Sequence, residues 1–170
     1  MQQNSVRMKT QTRTFGKLLT YSLLCSLFLG AINSGMAQAV KADGPTKATK
    51  GPSDTFTGTV WVTSLVANDS TYTTVAGSVV FEPGARSYWH SHPAGQLLLV
   101  TDGVGYHQLK GGPKQVIRKG DVVKCPPNVT HWHGASSGSS MTHLYILPNT
   151  EKGIVNWLQA VTDEEYKATR

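Results

Sequence analysis

The sequence predicts an all-β domain, a barrel or a sandwich, over most of the chain that follows residue 55. Apolar and β-branched residues come there in short runs from Gly58 onward. Gly, Pro and Asn clusters, which break strands and form turns, separate these runs. No stretch of helical periodicity and helical length interrupts the pattern. Many short strands at close spacing are typical of sandwiches and barrels, and a sufficiently wide barrel can hold a ligand inside.

The first 39 residues are predicted to be a secretory signal peptide that lies outside this domain. Residues 1–17 are basic without any acidic residue, residues 18–32 are mostly apolar, and small residues lead to Ala37-Gln38-Ala39. This order is typical of an exported protein. A membrane anchor is the alternative, but it needs about 20 apolar residues, and this run is shorter and contains Thr and Ser. We therefore expect cleavage near Ala39, a periplasmic or secreted protein, and no membrane attachment afterwards.

The positive charge of the chain lies largely in this leader. The chain has 16 Lys and Arg against 10 Asp and Glu, but four of the basic residues and none of the acidic ones precede residue 40. The remainder therefore carries about +2 rather than +6, and we expect no nucleic-acid partner. Because Cys25 falls within the leader, Cys125 is the only cysteine of the remainder and cannot form an internal disulfide. We interpret Cys125 as a small buried apolar residue.

The elements of the domain follow in a simple order. Residues 40–55 are rich in Lys, Gly, Pro, Thr and Ser and are predicted to be a flexible linker, so that the folded domain spans 56–170. Strands are predicted near Thr59–Leu65, Tyr72–Phe81, Ser87–His92, Gln96–Thr101, Gly105–Lys110, Gln115–Arg118, Asp121–Cys125, His131–Ala135 and Met141–Leu147. In the tail, Thr162 and Glu165 have the spacing of a capping box, which predicts a short final helix.

Four of the six histidines form two His-x-His pairs, His90-Ser91-His92 and His131-Trp132-His133. Residues two apart in a strand point to the same face, so each pair directs two imidazoles at one surface. Gln96 follows the first pair across a Pro-Ala-Gly turn, which can return it beside that pair. A single histidine in a strand is usually structural, but two such pairs in one small domain favour a metal site. The sequence therefore predicts His90, His92, Gln96 and His131 as its ligands.

Other histidines and aromatic residues have less distinctive positions. His143 shares a strand face with Tyr145, while His107 has no partner at two-residue spacing and is interpreted as structural or exposed. Trp89 and Trp132 are out of phase with the His pairs, so they are predicted to pack on the opposite side of the sheet.

The predicted ligands are all neutral, which constrains the chemistry of the ion. Imidazole suits Zn, Fe, Ni and Cu, and an amide oxygen with open water positions also permits Mn. The carboxylate of the facial triad of many iron oxygenases is absent from these four positions. Since the ligands leave the ion's charge uncompensated, it would attract anions and lower the pKa of bound hydroxyl groups.

These motifs resemble those of the cupin family. Residues 84–96 match the first cupin motif, G-x5-H-x-H-x3,4-E, with Gln96 at the usual Glu position. Residues 120–131 match the second motif, G-x5-P-x-G-x2-H, with Asn128 in place of Gly. Asn tolerates left-handed backbone better than most residues, so this departure is mild. The resemblance implies a jelly-roll barrel with a short C-terminal helix, and a homo-oligomer.

Within the cupins, the sequence resembles small bacterial proteins called carboxymuconolactone-decarboxylase-associated cupins, whose relatives include manganese-dependent hydroxynitrile lyases. The resemblance implies three His ligands and one Gln ligand for Mn²⁺, at the four positions predicted above, with Fe²⁺, Zn²⁺, Ni²⁺ or Cu²⁺ as alternatives. It also implies two further cavity histidines, His133 and His143. On this hypothesis the protein cleaves and forms cyanohydrins such as mandelonitrile, with His143 or His133 as the base and Ser87 hydrogen-bonded to substrate.

Two other functions fit the same motifs. A cupin dioxygenase would act on a small phenolic or enol substrate and would need oxygen, whereas a lyase would not. A secreted cupin could also bind a small molecule without catalysis, using the metal as an anchor and Tyr88, Trp89 and Trp132 as aromatic walls.

Overall fold

The computed structural model describes residue 41 and residues 44–169 of the 170-residue chain. The predicted signal peptide, residues 1–39, lies outside the described residues. The strands of the described part are β1 Thr49–Lys50, β2 Phe56–Thr57, β3 Val60–Val66, β4 Thr74–Phe81, β5 Arg86–Ser87, β6 His90–Ser91, β7 Gln96–Leu109, β8 Gln115–Arg118, β9 Val122–Cys125, β10 His131–Ala135, β11 Met141–Pro148 and β12 Asn156–Trp157. A 3₁₀-helix covers Thr150–Lys152 and an α-helix, α1, covers Asp163–Lys167.

The strands pair antiparallel in the order β1-β3-β4-β11-β7-β10-β5-β2. The remaining strands join this path at its centre, with β8 and β9 on β7, and β6 on β10. One part of the barrel wall is formed by β1, β3, β4, β11, β9 and the first half of β7, and the other by β2, β5, β6, β8, β10, β12 and the second half of β7. The predicted all-β barrel is therefore confirmed.

Strand β7 passes from one part of the wall to the other, although the sequence predicted two strands there. Residues 97–103 pair with β11, and residues 105–109 pair with β10. Gly103 lies at the change of partner with φ of 75°, a conformation that favours glycine. A side chain there would overlap the backbone carbonyl of Ser140. The strand therefore changes partner at the glycine without ending there. The sequence pattern had predicted that the strand ends at this position.

Two buried clusters lie on opposite faces of β10. The inner core contains Val60, Val79, Phe81, Ala85, Val100, Ile117, Ala135 and Met141. The outer cluster contains Trp89, Trp132, Val161 and Tyr166. This confirms the prediction that the two tryptophans pack on the side opposite the His pairs.

The C-terminal helix covers the outer cluster. The predicted capping box is confirmed, since the Thr162 hydroxyl accepts from the Glu165 amide and the Glu165 carboxylate accepts from the Thr162 amide. The buried Arg86 guanidinium donates to the Val161 carbonyl and forms a 2.7 Å ion pair with Asp163. These bonds fasten the tail to the outside of the barrel. Within the described part of the chain, no helix is both long and apolar enough to span a membrane.

The prediction of a flexible linker over residues 40–55 is wrong from Thr46 onward. Strand β1 pairs with Trp61 and Val62 of β3, and the Gly51 amide donates to the Val60 carbonyl at 2.8 Å. The Thr46 amide likewise donates to the Ser64 carbonyl. The sequence argument rested on the lack of apolar side chains to bury. Backbone hydrogen bonds to the open edge of β3 need no such side chains.

Candidate metal centre

The structure brings together the four side chains predicted as metal ligands. His90 and His131 are direct partners across the β6–β10 pair. A ring nitrogen from each of His90, His92 and His131 lies within 4.8 Å of the other two. Gln96 opens β7 directly after a turn in which the Gly95 amide donates to the His92 carbonyl, and its Oε1 lies 3.2 Å from Nε2 of His131. All four side chains are buried.

The backbone fixes the ring orientation of all three histidines. In each ring Nδ1 faces a carbonyl oxygen, which can only accept, so Nδ1 carries the proton and donates it. The acceptors for His90, His92 and His131 are the carbonyls of Tyr88, Ile154 and Val129, at 2.8, 2.6 and 2.9 Å. This leaves every Nε2 with a free lone pair. Metal-binding histidines are held in the same way, by a hydrogen bond at the second nitrogen.

The acceptor atoms of the four side chains lie close together, as the ligands of a cation must. Oε1 of Gln96 and Nε2 of His131 are both acceptors, yet they lie only 3.2 Å apart. Nε2 of His92 is buried and has no hydrogen-bond partner among the residues that the structure describes. Acceptors that face each other without a shared proton repel, and a positive ion between them removes the repulsion. Three imidazole nitrogens and one amide oxygen therefore fit a divalent metal ion.

Burial keeps these rings unprotonated. It lowers the pKa of His131 to about 4, and it is also the main cause of the lowered pKa of His90 and His92. The charged form of an imidazole loses its hydration in such an environment. Because only the neutral ring can bind a metal, the three histidines are ready to act as ligands at neutral pH.

Two further histidines extend the cluster on its inner side. The ring centre of His133 lies 5.1 Å from that of His90 and 4.9 Å from that of His143. Nδ1 of His133 and both ring nitrogens of His143 are buried without a partner in the described part of the chain. Burial lowers the pKa of His143 to about 4 and that of His133 well below its ordinary value. Both rings are therefore neutral and free to bond to a ligand.

A cavity of about 370 Å³ opens beside these histidines. Its polar inner end is formed by His90, His92, Gln96, His133 and His143, while the completely buried His131 lies behind them. Its apolar and aromatic walls are formed by Phe56, Val62, Val75, Val79, Phe81, Tyr145, Leu147, Ile154, Val155 and Trp157. Lys50 lies at the cavity, and no acidic side chain is among the described residues that line it. The cavity therefore suits a largely apolar molecule with a polar or anionic group at one end.

Ser87, predicted to bond to substrate, does not lie on the wall of this cavity as far as the described residues define it. It is completely buried, and its hydroxyl accepts the backbone N–H of His133 at 3.1 Å. This bond ties β5 to β10 and fixes the backbone of a cavity histidine. Its contact with a substrate stays a prediction.

Sequence reasoning missed two contributions. His107, interpreted as structural or exposed, is buried and 3% exposed, but the contact of its Nε2 with Sγ of Cys125 at 3.4 Å was not predicted. Segments outside both motifs, residues 49–56 and 154–157, supply much of the cavity wall. Both contributions depend on which strands pair, and the local sequence carries no signal of that pairing.

Comparisons with known proteins agree with this geometry. The profile of the cupin domain matches residues 77–147. An (R)-mandelonitrile lyase from Granulicella tundricola is 44% identical over 128 residues, which cover 75% of this chain and 98% of that protein. A cupin-like protein from Thermotoga maritima is 46% identical with a TM-score of 0.70, over 78% of this chain and 97% of that one. A polyketide cyclase from Streptomyces resistomycificus shares the fold alone, with 16% identity, a TM-score of 0.59 and coverage of 76% and 92%.

Proposed function

Because this chain belongs to the cupin family, we propose that it is a metal-dependent hydroxynitrile lyase, which cleaves and forms cyanohydrins such as mandelonitrile. One observation carries the proposal. Two neutral imidazoles, His133 and His143, whose ring nitrogens include some without a partner among the described residues, lie beside the four predicted metal ligands in a largely apolar cavity. The 44% identity to an (R)-mandelonitrile lyase supports it.

We propose Mn²⁺ as the resident ion, held by Nε2 of the three histidines and Oε1 of Gln96, with Fe²⁺, Zn²⁺, Ni²⁺ and Cu²⁺ as alternatives. When bound, such an ion supplies positive charge that neutral ligands leave free to stabilise negative charge developing on the substrate oxygen. The protein contributes the dry surroundings that make this interaction strong.

The apolar walls orient the substrate. The organic group of the cyanohydrin packs against Val79, Phe81 and Leu147. The carbon that carries the hydroxyl and nitrile groups then lies at the histidine end of the cavity. Phe81 packs against His133 and His143 at ring-centre distances of 5.8 and 5.6 Å. The aromatic ring thereby shields the two bases from water.

The two inner histidines move the proton. His143 accepts the hydroxyl proton of the cyanohydrin at its free ring nitrogen, and the O–H electron pair becomes the second bond of the carbonyl group. The carbon–carbon bond to the nitrile breaks, and its electron pair leaves with cyanide. The proton then passes to cyanide, directly or through the neighbouring His133, so that aldehyde and hydrogen cyanide are released and the ring is again neutral. Cyanohydrin formation follows the same steps in reverse.

The test is mandelonitrile cleavage by purified protein, followed as benzaldehyde release with and without oxygen. Protein stripped of metal by a chelator should be inactive, and added Mn²⁺ should restore activity equally under both atmospheres. Cleavage that requires oxygen would favour the dioxygenase alternative. Metal binding without turnover of cyanohydrins would contradict the lyase and leave a non-catalytic binding protein.

We also propose that the mature protein is exported after removal of residues 1–39, acts on small molecules rather than nucleic acid or membrane, and forms a homo-oligomer. The basic, apolar and small-residue order of the leader supports export. The small positive charge of the remainder offers no basis for nucleic-acid binding. Mass spectrometry of the N-terminus after expression in a bacterial host tests cleavage, and light scattering with size-exclusion chromatography tests the oligomer.

A further inference from the structure

Two buried polar side chains lie behind the metal ligands and have no part in the proposed reaction. Cys125 is 4% exposed and His107 is 3% exposed. Neither belongs to the described residues that line the cavity beside the ligands. Sγ of Cys125 lies 3.8 Å from Oε1 of Gln96 and 3.4 Å from Nε2 of His107. They form a chain of contacts that ends on a predicted ligand.

Strand pairing fixes this chain of contacts. Gln96 and Cys125 are direct partners in the β7–β9 pair. His107 lies near the far end of β7, where it is the direct partner of His133 in β10. The ring of His107 lies 5.6 Å from that of His131, measured between centres. The contacts therefore belong to the framework of the barrel rather than to a surface loop.

The donors and acceptors allow only one direction for this chain of contacts. Oε1 of Gln96 can only accept, so the contact with Cys125 requires the thiol proton to be donated to that oxygen. The sulfur can then accept the Nε2 proton of His107. If the amide were turned over, its NH₂ group would face His131 and occupy the lone pair that a metal needs. While the sulfur accepts the His107 proton, its own proton faces Gln96 and therefore favours the oxygen end of the amide over the NH₂ end, although the two ends are nearly equal in shape.

We propose that Cys125, supported by His107, is a positioning residue that holds the Gln96 carboxamide with its oxygen toward the three imidazoles. It thereby sets the affinity of the site for its cation. The proposal rests on the metal-binding part of the proposed function and not on the lyase reaction. A carboxylate at position 96 would not need this support, because its two oxygens are equivalent.

The experiment measures Mn²⁺ affinity by calorimetric titration of the metal-free protein purified after export. Cys125→Ala should weaken binding about 10- to 100-fold, the usual effect of losing a partner of a metal ligand. Cys125→Ser keeps a donor and should bind nearly as tightly as the wild type. His107→Phe should weaken binding in the same direction as Cys125→Ala, but less. Thermal unfolding of each metal-free variant verifies that it is folded.

A second background separates positioning from a general structural effect. In Gln96→Glu, either carboxylate oxygen can bind the ion, so adding Cys125→Ala should not weaken Mn²⁺ binding further. An equal loss in both backgrounds would overturn the proposal, and so would an unchanged affinity in Cys125→Ala alone. If the wild type binds neither Mn²⁺ nor Zn²⁺, both the proposed role of Cys125 and the proposed metal-dependent function are wrong. If metal binds but cyanohydrins are not cleaved, the lyase fails while the role of Cys125 stands.

Discussion

The two faces of β10 carry buried rings in opposite states of hydrogen bonding. On the outer face, Nε1 of Trp132 donates to Gln108 at 2.8 Å, and the Tyr166 hydroxyl donates to the Ala135 carbonyl at 2.8 Å. On the inner face, His133 has an unpartnered ring nitrogen, and in His143, packed against it, neither ring nitrogen has a partner among the described residues. The residues alternate along one strand, so the same backbone supports both clusters.

This difference in hydrogen bonding separates the face that stabilises the fold from the face that is available to a ligand. A buried polar atom without a partner costs about 1–3 kcal/mol, whereas a satisfied one is neutral or stabilising. The outer face therefore contributes stability, while the inner face leaves its acceptors available at a cost in stability. Five predictions test this division.

The largest effect is expected at the centre of the inner face. His131→Ala removes one of the four converging lone pairs, and Mn²⁺ affinity should fall by more than the about 100-fold typical of losing an outer-shell partner. Lyase activity should be lost with the metal, while the unfolding temperature of the metal-free protein changes little. Elemental analysis, the cleavage assay and calorimetry measure these three quantities. Metal content equal to wild type would contradict the assignment.

The next effect should fall on activity alone. His143→Gln removes the proposed base but none of the four ligands, so cleavage should slow by about 10²- to 10⁴-fold. Metal content should equal that of the wild type. Trp132→Phe, which changes the opposite face, serves as the control and should retain activity. Wild-type activity in His143→Gln would remove this residue from the reaction.

The outer face should respond in the reverse manner. Trp132 is completely buried, so Trp132→Ala should lower the free energy of unfolding by about 3–5 kcal/mol. The Mn²⁺ affinity of the protein that remains folded should not change, because the indole packs in the outer cluster and donates to Gln108. Urea unfolding with and without metal measures both. A loss of metal affinity without loss of stability would show that the two faces are coupled.

The inner face should also make stability depend on pH. Burial lowers the pKa of His143 to about 4, against about 6.5 in an unfolded chain. Between these values the unfolded state binds more protons than the folded state, so stability falls as the pH falls. The free energy of unfolding of the metal-free protein should therefore decrease from pH 7 to pH 4.5. His143→Leu should make this dependence less steep without abolishing it, because burial also lowers the pKa of His131 and His133. An unchanged or reversed slope would be the contrary result.

The smallest effect is expected at the cavity wall. Gly77 pairs directly with Tyr145, and a side chain at position 77 would overlap the Tyr145 ring. Gly77→Ala should displace this ring and raise KM for mandelonitrile a few-fold, with metal affinity unchanged. Steady-state kinetics with small aliphatic cyanohydrins gives the comparison, since these substrates should be less affected. Equal effects on both classes would mean that the ring does not limit substrate size.

The sequence predicted the fold class and the grouping of the ligands because both depend on short-range patterns. The two-residue period of a strand places His131 and His133 on one face and Trp132 on the other. The turn after His92 returns Gln96 to the same place. These relations span few residues and do not depend on which strands become neighbours.

The remaining features depend on strand pairing that no local pattern records. The Cys125–His107 contact joins β9 to the far end of β7, which was predicted as a separate strand. The ordered segment around Thr49 and Lys50 follows from an open strand edge, which composition does not reveal. Each of these errors concerns hydrogen bonds between distant parts of the backbone.

The His92 ring is anchored by the Ile154 carbonyl, at the rim of the cavity. That anchor uses the backbone and not the side chain, so residue 154 can be exchanged for others while the ring keeps its orientation. Other residues of the cavity wall, among them Phe56 and Val155, likewise belong to none of the strands that hold His90, Gln96 and His131. Selection or engineering can therefore change which molecules enter the cavity while the four predicted ligands keep their arrangement.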